Sequence, residues 1–189
     1  MVALREIVTS ETVFFFDLDG TLVDTDFANF LAYKMAIEKV IGKSIVFNPQ
    51  QRFNRAQLKT VFNEISDSQF SEIIRLKEMQ YSGLLSETKL ISDIANFLFR
   101  YYKSNKTILV TNSRKSRAME TLNYHCLTDK FHCFFFQENN TTNNKFQIAI
   151  TQLGISPKNV IAFENESEEI KKAKNIGVET IINSTYFKQ

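Results

Sequence analysis

The sequence predicts an α/β fold, in which a doubly wound parallel sheet carries an inserted, all-helical domain. Short apolar runs alternate with amphipathic stretches of helical period, and one long stretch after the first run contains helical patterns only. An unbroken apolar run is typical of a strand buried on both faces, as in a parallel sheet. Alternation of such strands with helices implies right-handed crossovers that cover both faces of the sheet.

Five apolar runs are the predicted strands. Four of them are followed directly by a polar side chain, and a fifth candidate is rich in phenylalanine. Each run is too short for a stable helix, so a buried strand explains it better. The runs span residues 12–16, 107–110, 131–136, 160–163 and 179–182.

The stretches between the later strands have the period of amphipathic helices. The helix over 145–153 is stopped by Gly154, and the helix over 167–175 has Ser167 as its predicted N-cap. Helices are predicted over residues 86–103, 113–127, 145–153 and 167–175.

The stretch that follows the first predicted strand breaks this alternation. It contains no convincing strand, but it contains three amphipathic helical patterns, at residues 26–41, 54–65 and 67–81. We therefore predict an α/β core of residues 1–24 and 83–189 and a helical domain of residues 25–82. A helical block inserted at this point is expected to act as a lid over the carboxyl ends of the strands.

The overall charge argues against nucleic-acid and membrane partners. The 23 Lys and Arg residues nearly balance the 21 Asp and Glu residues, which leaves a net charge of +2 and no basic footprint. No apolar run approaches the length of a membrane span, and the first residues lack the pattern of a signal peptide. Cys126 and Cys133 are too few for a disulfide framework, so we expect a cytoplasmic protein with reduced thiols.

The first predicted strand runs directly into the most informative motif, Asp17-Leu-Asp19-Gly20-Thr21. Carboxylates at positions i and i+2 face the same side of the chain exit, and the carboxyl ends of parallel strands are where such a sheet binds ligands. Paired carboxylates suit Mg²⁺, which bridges protein oxygens and phosphates. A simple turn would also use Asp and Gly, but it would not explain so apolar a strand before it.

From this motif onward the sequence resembles the haloacid dehalogenase-like hydrolase superfamily, in its phosphatase form with the pattern Asp-x-Asp-x-Thr. Thr111-Asn112-Ser113 resembles the second motif of that family, and Lys145 resembles the third. Glu164-Asn165-Glu166 stands in the place of the fourth, acidic motif. The resemblance covers nearly the whole chain, and it implies a Rossmann-like core with a helical cap between the first two motifs.

The resemblance also implies the activity, a phosphoric monoester hydrolase that acts on a small phosphorylated metabolite. Asp17 would attack phosphorus and form an aspartyl-phosphate. Asp19 would protonate the leaving oxygen and then deprotonate the attacking water. Thr111 and the backbone amide of Asn112 would hold the phosphoryl oxygens, and Lys145 would offset the clustered negative charge.

A Mg²⁺ cofactor belongs to the same implied chemistry. Its ligands would be Asp17, the backbone carbonyl of Asp19 and the fourth motif, while Gly20 and Thr21 would bind the substrate. The fourth motif departs from the family pattern of Asp followed by Ser, because Asn165 occupies the main ligand position.

The amide oxygen of Asn165 can coordinate Mg²⁺, but it contributes no negative charge. Glu164 could compensate as a metal ligand, directly or through water, and Glu169 is a second candidate. For Glu169 a simpler interpretation exists, since an acid in the first turn of a helix stabilises the helix dipole.

Substrate choice is expected to depend on the helical insertion. A basic cluster there, which includes Arg52 and Arg55, could bind a second anionic group of the substrate, or it could be a solvated helix face. Sugar-phosphate phosphomutases use the same pair of acids, so mutase activity is the alternative within catalysis. The altered fourth motif leaves a further alternative, a protein that keeps the fold but acts as a binding or regulatory module.

Overall fold

The structure, a computed structural model, describes residues 7–136 and 144–184. The chain forms two compact units, an α/β core of Met1–Val23 with Leu90–Gln189 and a helical insertion of Asp24–Lys89. The chain thus returns to the core at Leu90, whereas the sequence suggested a return at residue 83.

The strands, in chain order, are β1 (Val13–Phe16), β2 (Val23–Asp24), β3 (Lys89–Leu90), β4 (Lys106–Val110), β5 (Cys133–Phe135), β6 (Val160–Glu164) and β7 (Thr180–Asn183). A five-stranded parallel sheet has the order β5-β4-β1-β6-β7, and β2 pairs with β3 in a separate two-stranded sheet. The first strand, β1, lies at the centre of this sheet, and the later strands lie on both sides of it. This order confirms the predicted doubly wound fold.

The helices, in chain order, are α1 (Asp26–Ile41), α2 (Arg55–Val61), α3 (Asp67–Tyr81), α4 (Ser92–Tyr101), α5 (Lys115–Tyr124), α6 (Lys145–Leu153) and α7 (Ser167–Asn175). In the part of the chain that the structure describes, none of the helices is long and apolar enough to span a bilayer.

Side chains of β1 alternate between the two faces of the sheet. Phe14 and Phe16 pack with side chains of α4 and α5, whereas Phe15 packs with side chains of α6 and α7. All three phenylalanines are fully buried. Because helices cover both faces, the central strands consist almost entirely of apolar residues.

The helix predicted over residues 86–103 begins later than its apolar period suggests. Ser82–Glu87 forms a 3₁₀ turn, β3 follows, and α4 begins only at Ser92. The N–H of Ile91 donates to the carbonyl oxygen of Leu22 at 3.0 Å. A helix over these residues would break that pairing, so tertiary contacts override the local helical pattern here.

The predicted N-cap of the last helix is wrong by one position. Ser167 is the first residue of α7, and Glu166 is its N-cap without a side-chain cap bond. The carboxylate of Glu164 accepts the backbone N–H of Glu166 at 2.9 Å, which fixes the start of the helix from outside it.

The insertion is helical, as predicted, and it packs around a core of its own. Tyr33 of α1, Leu58 of α2 and Ile73 of α3 are buried together in it. Two of its helices begin with capping boxes, in which Asn54 caps α2 and Ser66 caps α3.

Candidate active site

Asp17 follows β1 and lies on the face of the sheet that α6 covers. Phe15 packs against α6, and the strand period places Asp17, two residues later, on the same side. The backbone N–H of Asp17 donates to the carbonyl oxygen of Phe163 at 3.0 Å, which continues the pairing with β6. Only 6% of Asp17 is exposed, so its carboxylate is held in a largely desolvated position.

Lys145 joins the ends of β1 and β6. Its Nζ lies 2.8 Å from Oδ1 of Asp17 and 2.7 Å from Oε2 of Glu164. Lys145 is the first residue of α6, and the helix begins there because the Asn144 side chain accepts the backbone N–H of Phe146 at 3.0 Å. A helix cap therefore sets the position of the ammonium group.

The charges around Asp17 do not balance. Burial and the carboxylate of Glu164 raise the pKa of Asp17 from 3.8 to about 7, against the opposing effect of Lys145. Burial alone would lower the pKa of Lys145, but its ion pairs with Asp17 and Glu164 outweigh burial and raise that pKa. Lys145 is therefore charged at neutral pH, and the acids around it still favour a further cation.

Asp19 is bound by a different set of partners. Its Oδ1 lies 2.6 Å from Nη2 of Arg117, and its Oδ2 accepts a hydrogen bond from Oγ of Ser113. The backbone N–H of Ser113 in turn donates to Oγ1 of Thr111 at 3.1 Å. Asp19 is also among the charges that raise the pKa of Asp17. The structure thus brings both acids, Thr111 and Lys145 to one end of the sheet.

The turn after Asp19 contacts Asn165 of the fourth motif. Gly20 has a φ of +78°, a left-handed conformation that glycine adopts without strain. Thr21 is fully buried and donates from Oγ1 to Oδ1 of Asn165 at 3.2 Å. Ser184 contacts Oγ1 of Thr21 at 3.2 Å and the carbonyl oxygen of Gly20 at 3.3 Å. The hydrogen bond from Thr21 orients the Asn165 amide, and Ser184 in turn contacts Thr21.

The donor set at this edge fits Mg²⁺. The carboxylate of Asp17 and the amide oxygen of Asn165 are hard oxygen donors, and they follow neighbouring strands that pair with Phe16 opposite Phe163. The described residues contain no group of three or more His, Cys, Asp or Glu side chains that could hold a metal.

Both carboxylate oxygens of Glu164 have partners in the protein. Its Oε1 accepts the backbone N–H of Asn165 at 2.8 Å and that of Glu166 at 2.9 Å, and its Oε2 pairs with Lys145. The side chain has no exposed surface. Glu164 thus holds the loop that carries Asn165, and its role as a metal ligand stays a prediction.

A family model described as haloacid dehalogenase-like hydrolase matches residues 14–183 of this chain. The match includes Asp17, Thr111, Lys145 and Asn165. The chain belongs to the haloacid dehalogenase-like hydrolase family.

Two kinds of relatives agree with this membership. A phosphorylated carbohydrates phosphatase of Thermotoga maritima is 27% identical over 180 residues, which cover 88% of this chain and 82% of that protein. A haloacid dehalogenase-like family protein from Streptococcus pneumoniae has a TM-score of 0.76 at 19% identity, covering 92% of this chain and 84% of its own. CbbY from Rhodobacter sphaeroides, solved in complex with phosphate, has a TM-score of 0.74 at 14% identity, covering 90% and 85%.

Family and fold are thereby confirmed. At the identities of the solved structures, the likeness shows the fold of the haloacid dehalogenase-like hydrolases and no more. The family model confirms that the predicted enzyme is a hydrolase of this family, and the named phosphatase relative supports the predicted class of phosphoric monoester hydrolases.

The other residues predicted for the hydrolase site differ in their burial and in their partners. Asn112 is exposed just after β4. Glu169 is buried and pairs with Lys172 at 2.7 Å, which agrees with its simpler role in the first turn of α7. Within the insertion, Arg52 pairs with Asp26 at 3.6 Å, and Arg55 is exposed.

Sequence reasoning missed the partners of Asp19 in this hydrolase. Ser113 was part of the second motif, but no side-chain role was predicted for it. The sequence gives no signal for Arg117 either, because a basic residue near the start of an amphipathic helix is usually solvated. Its side chain is only 11% exposed here, and nothing local in the sequence indicates that burial.

Proposed function

We propose that this hydrolase is a Mg²⁺-dependent phosphatase that cleaves a small phosphate monoester through an aspartyl-phosphate on Asp17. The observation that best supports the proposal is the separate environment of the two acids at the exit of β1. Lys145 binds Asp17, whereas Ser113 and Arg117 bind Asp19. Two carboxylates kept in different environments can take different roles in acid–base chemistry.

In the first step, a carboxylate oxygen of Asp17 attacks phosphorus, and the bond from phosphorus to the ester oxygen breaks. Asp19 gives its proton to that oxygen, so the alcohol leaves as a neutral molecule. Lys145 offsets the negative charge of Asp17 and the phosphoryl group. Thr111 and the backbone N–H of Asn112, at the end of β4, bind phosphoryl oxygens.

In the second step, water replaces Asp17 on phosphorus. Asp19, now a carboxylate, takes a proton from the water as the new oxygen–phosphorus bond forms, and the bond between phosphorus and Asp17 breaks. Inorganic phosphate leaves, and both acids return to their starting protonation states.

Mg²⁺ would be held by Asp17, the backbone carbonyl of Asp19 and Asn165, and when bound it would neutralise phosphoryl charge and orient the phosphate. The unbalanced acids around Asp17 support this assignment. Asn165 would supply a neutral oxygen, oriented by Thr21. Glu164 would keep the loop of Asn165 in place through its two backbone hydrogen bonds.

For the substrate class we propose phosphorylated sugars, on the basis of the Thermotoga maritima relative, which is named a phosphorylated carbohydrates phosphatase. Specificity would depend on the insertion, where Arg52 and Arg55 are candidates to bind a second anionic group.

The test is phosphate release from an aryl phosphate and from a panel of sugar phosphates, each with Mg²⁺ and with EDTA. We expect turnover that requires Mg²⁺ and is lost in Asp17→Asn. Mass spectrometry of the acid-quenched enzyme should detect one added phosphoryl group, which Asp17→Asn should lack. Asp93→Asn is the matched control, because Asp93 is an exposed acid at the start of α4.

Retained turnover in Asp17→Asn would contradict the proposed nucleophile, and turnover that persists in EDTA would contradict the metal requirement. Conversion of a sugar phosphate to an isomer without phosphate release would favour the mutase instead. Absence of turnover across the panel would favour the binding or regulatory module.

A further inference from the structure

Two side chains clamp the carboxylate of Asp19. Arg117 contacts Oδ1 at 2.6 Å, and Ser113 donates its hydroxyl hydrogen to Oδ2. The side chains of Asp19 and Arg117 are only 10% and 11% exposed. A charge-assisted hydrogen bond with this little access to water fixes a carboxylate more firmly than an exposed ion pair does.

The clamp is anchored in the core of the protein. Arg117 precedes Ala118, which is fully buried against the sheet, on α5. Ser113 is held by its backbone N–H on Oγ1 of Thr111 at 3.1 Å. Asp19 itself lies in a turn, where its side chain would otherwise have more than one rotamer available.

The two carboxylate oxygens of Asp19 have different partners. A guanidinium has only donors and is always charged, so Arg117 holds Oδ1 by a charge-assisted hydrogen bond. A serine hydroxyl can donate or accept, and Ser113 donates to Oδ2 in this structure.

We propose that Arg117 is a positioning residue, which holds the Asp19 carboxylate in the place from which it acts on the leaving group. This inference rests on the proposed phosphatase function.

The experiment measures kcat/KM for phosphate esters whose leaving groups range from an acidic nitrophenol to a simple alcohol. This parameter reports the first phosphoryl transfer, and only poor leaving groups need the proton from Asp19. Because general acid catalysis contributes about 100- to 10,000-fold, Arg117→Met should lose about 10- to 100-fold on the alkyl ester. On the nitrophenyl ester its kcat/KM should change by less than about threefold.

Three further variants sharpen the test. Arg117→Lys keeps the charge without the planar fork, so it should recover part of the loss on the alkyl ester. Lys115→Met removes an exposed charge from the same helix and should leave both esters unaffected. In an Asp19→Asn background, Arg117→Met should cause no additional loss, because a residue that acts only through Asp19 has nothing left to position.

Equal losses on good and poor leaving groups would overturn the inference, as would a further loss in the Asp19→Asn background. Either result would mean that Arg117 supports the fold alone. Circular dichroism and urea unfolding of Arg117→Lys distinguish a destabilised fold from a mispositioned Asp19 carboxylate. Lack of any turnover in the unmodified protein would instead overturn the proposed phosphatase, and this inference with it.

Discussion

The ammonium group of Lys145 lies 2.7 Å from the carboxylate of Glu164, which has no exposed surface. Glu164 also accepts the backbone N–H of Asn165 and Glu166, so one buried acid ties the third motif to the fourth. The same ammonium binds Asp17. One buried cation is therefore shared between two acids.

Lys145→Met is expected to reduce the free energy of unfolding by about 3–5 kcal/mol, because it leaves two buried carboxylates without a counter-ion. Urea unfolding at pH 8 measures the change. Adding Glu164→Gln should restore part of the loss, since only one uncompensated acid then remains. Lys158→Met is the matched control, because the Lys158 side chain is 76% exposed. Similar unfolding of the two single variants would contradict the structural role of Lys145.

The stability of the metal-free protein should fall as pH rises between about 4 and 7. The pKa of Asp17 is 3.8 ordinarily and about 7 in the folded protein, so the folded state binds more protons than the unfolded state across this window. By linkage, the free energy of unfolding then decreases with pH. Asp17→Asn should remove this dependence, and its advantage over the unmodified protein should grow from pH 4 to pH 8. Urea titrations in EDTA would measure it.

The control for this pH dependence is Asp93→Asn, which removes an exposed acid and should leave the slope as it is. Glu164→Gln should reduce the slope, because Glu164 is one of the charges that raise the pKa of Asp17. A stability curve of Asp17→Asn that runs parallel to that of the unmodified protein would show that Asp17 has no raised pKa.

The sheet could be predicted from sequence because burial on both faces is visible in local composition. Phe14, Phe15 and Phe16 are apolar in succession, since helices pack on each side of β1. The start of α4 could not be predicted in this way. Its position depends on the bond between Ile91 and Leu22, which the apolar period of the helix does not reveal.

The site, like the fold, could be predicted only in part from the sequence. Asp17 and Asp19 follow β1, and their spacing alone indicates that both lie at the end of that strand. Arg117 contacts Asp19 from 98 positions away in sequence, and only the packing of α5 brings them together. The charge of Glu164 predicts a metal ligand from sequence, whereas its contacts with Lys145 and the loop are visible only in three dimensions.

Asn144→Ala should reduce both stability and turnover. The Asn144 side chain caps α6, and its amide donates to the carbonyl oxygen of Lys172 at 2.9 Å. Loss of an N-cap costs about 1 kcal/mol, and here it also loosens the start of the helix that carries Lys145. Ser66→Ala, which removes the cap of α3, should cost comparable stability without a matching loss of kcat. Equal kcat in the two variants would contradict the prediction, because it would show that the cap of α6 does not position Lys145 for turnover.

Asn165→Asp should increase Mg²⁺ affinity by about tenfold, because a charged ligand replaces a neutral one and ligand charge tunes the affinity of oxygen sites. Calorimetric titration of Mg²⁺ into the substrate-free protein measures this directly, without reference to turnover. Asn159→Asp makes the same change at an exposed position before β6, so it controls for net charge. Thr21→Val, which removes the hydrogen bond to Asn165, should weaken binding, because outer partners hold ligands in place. Equal affinities for the two Asp variants would mean that Asn165 does not bind the ion and that the altered fourth motif has another purpose.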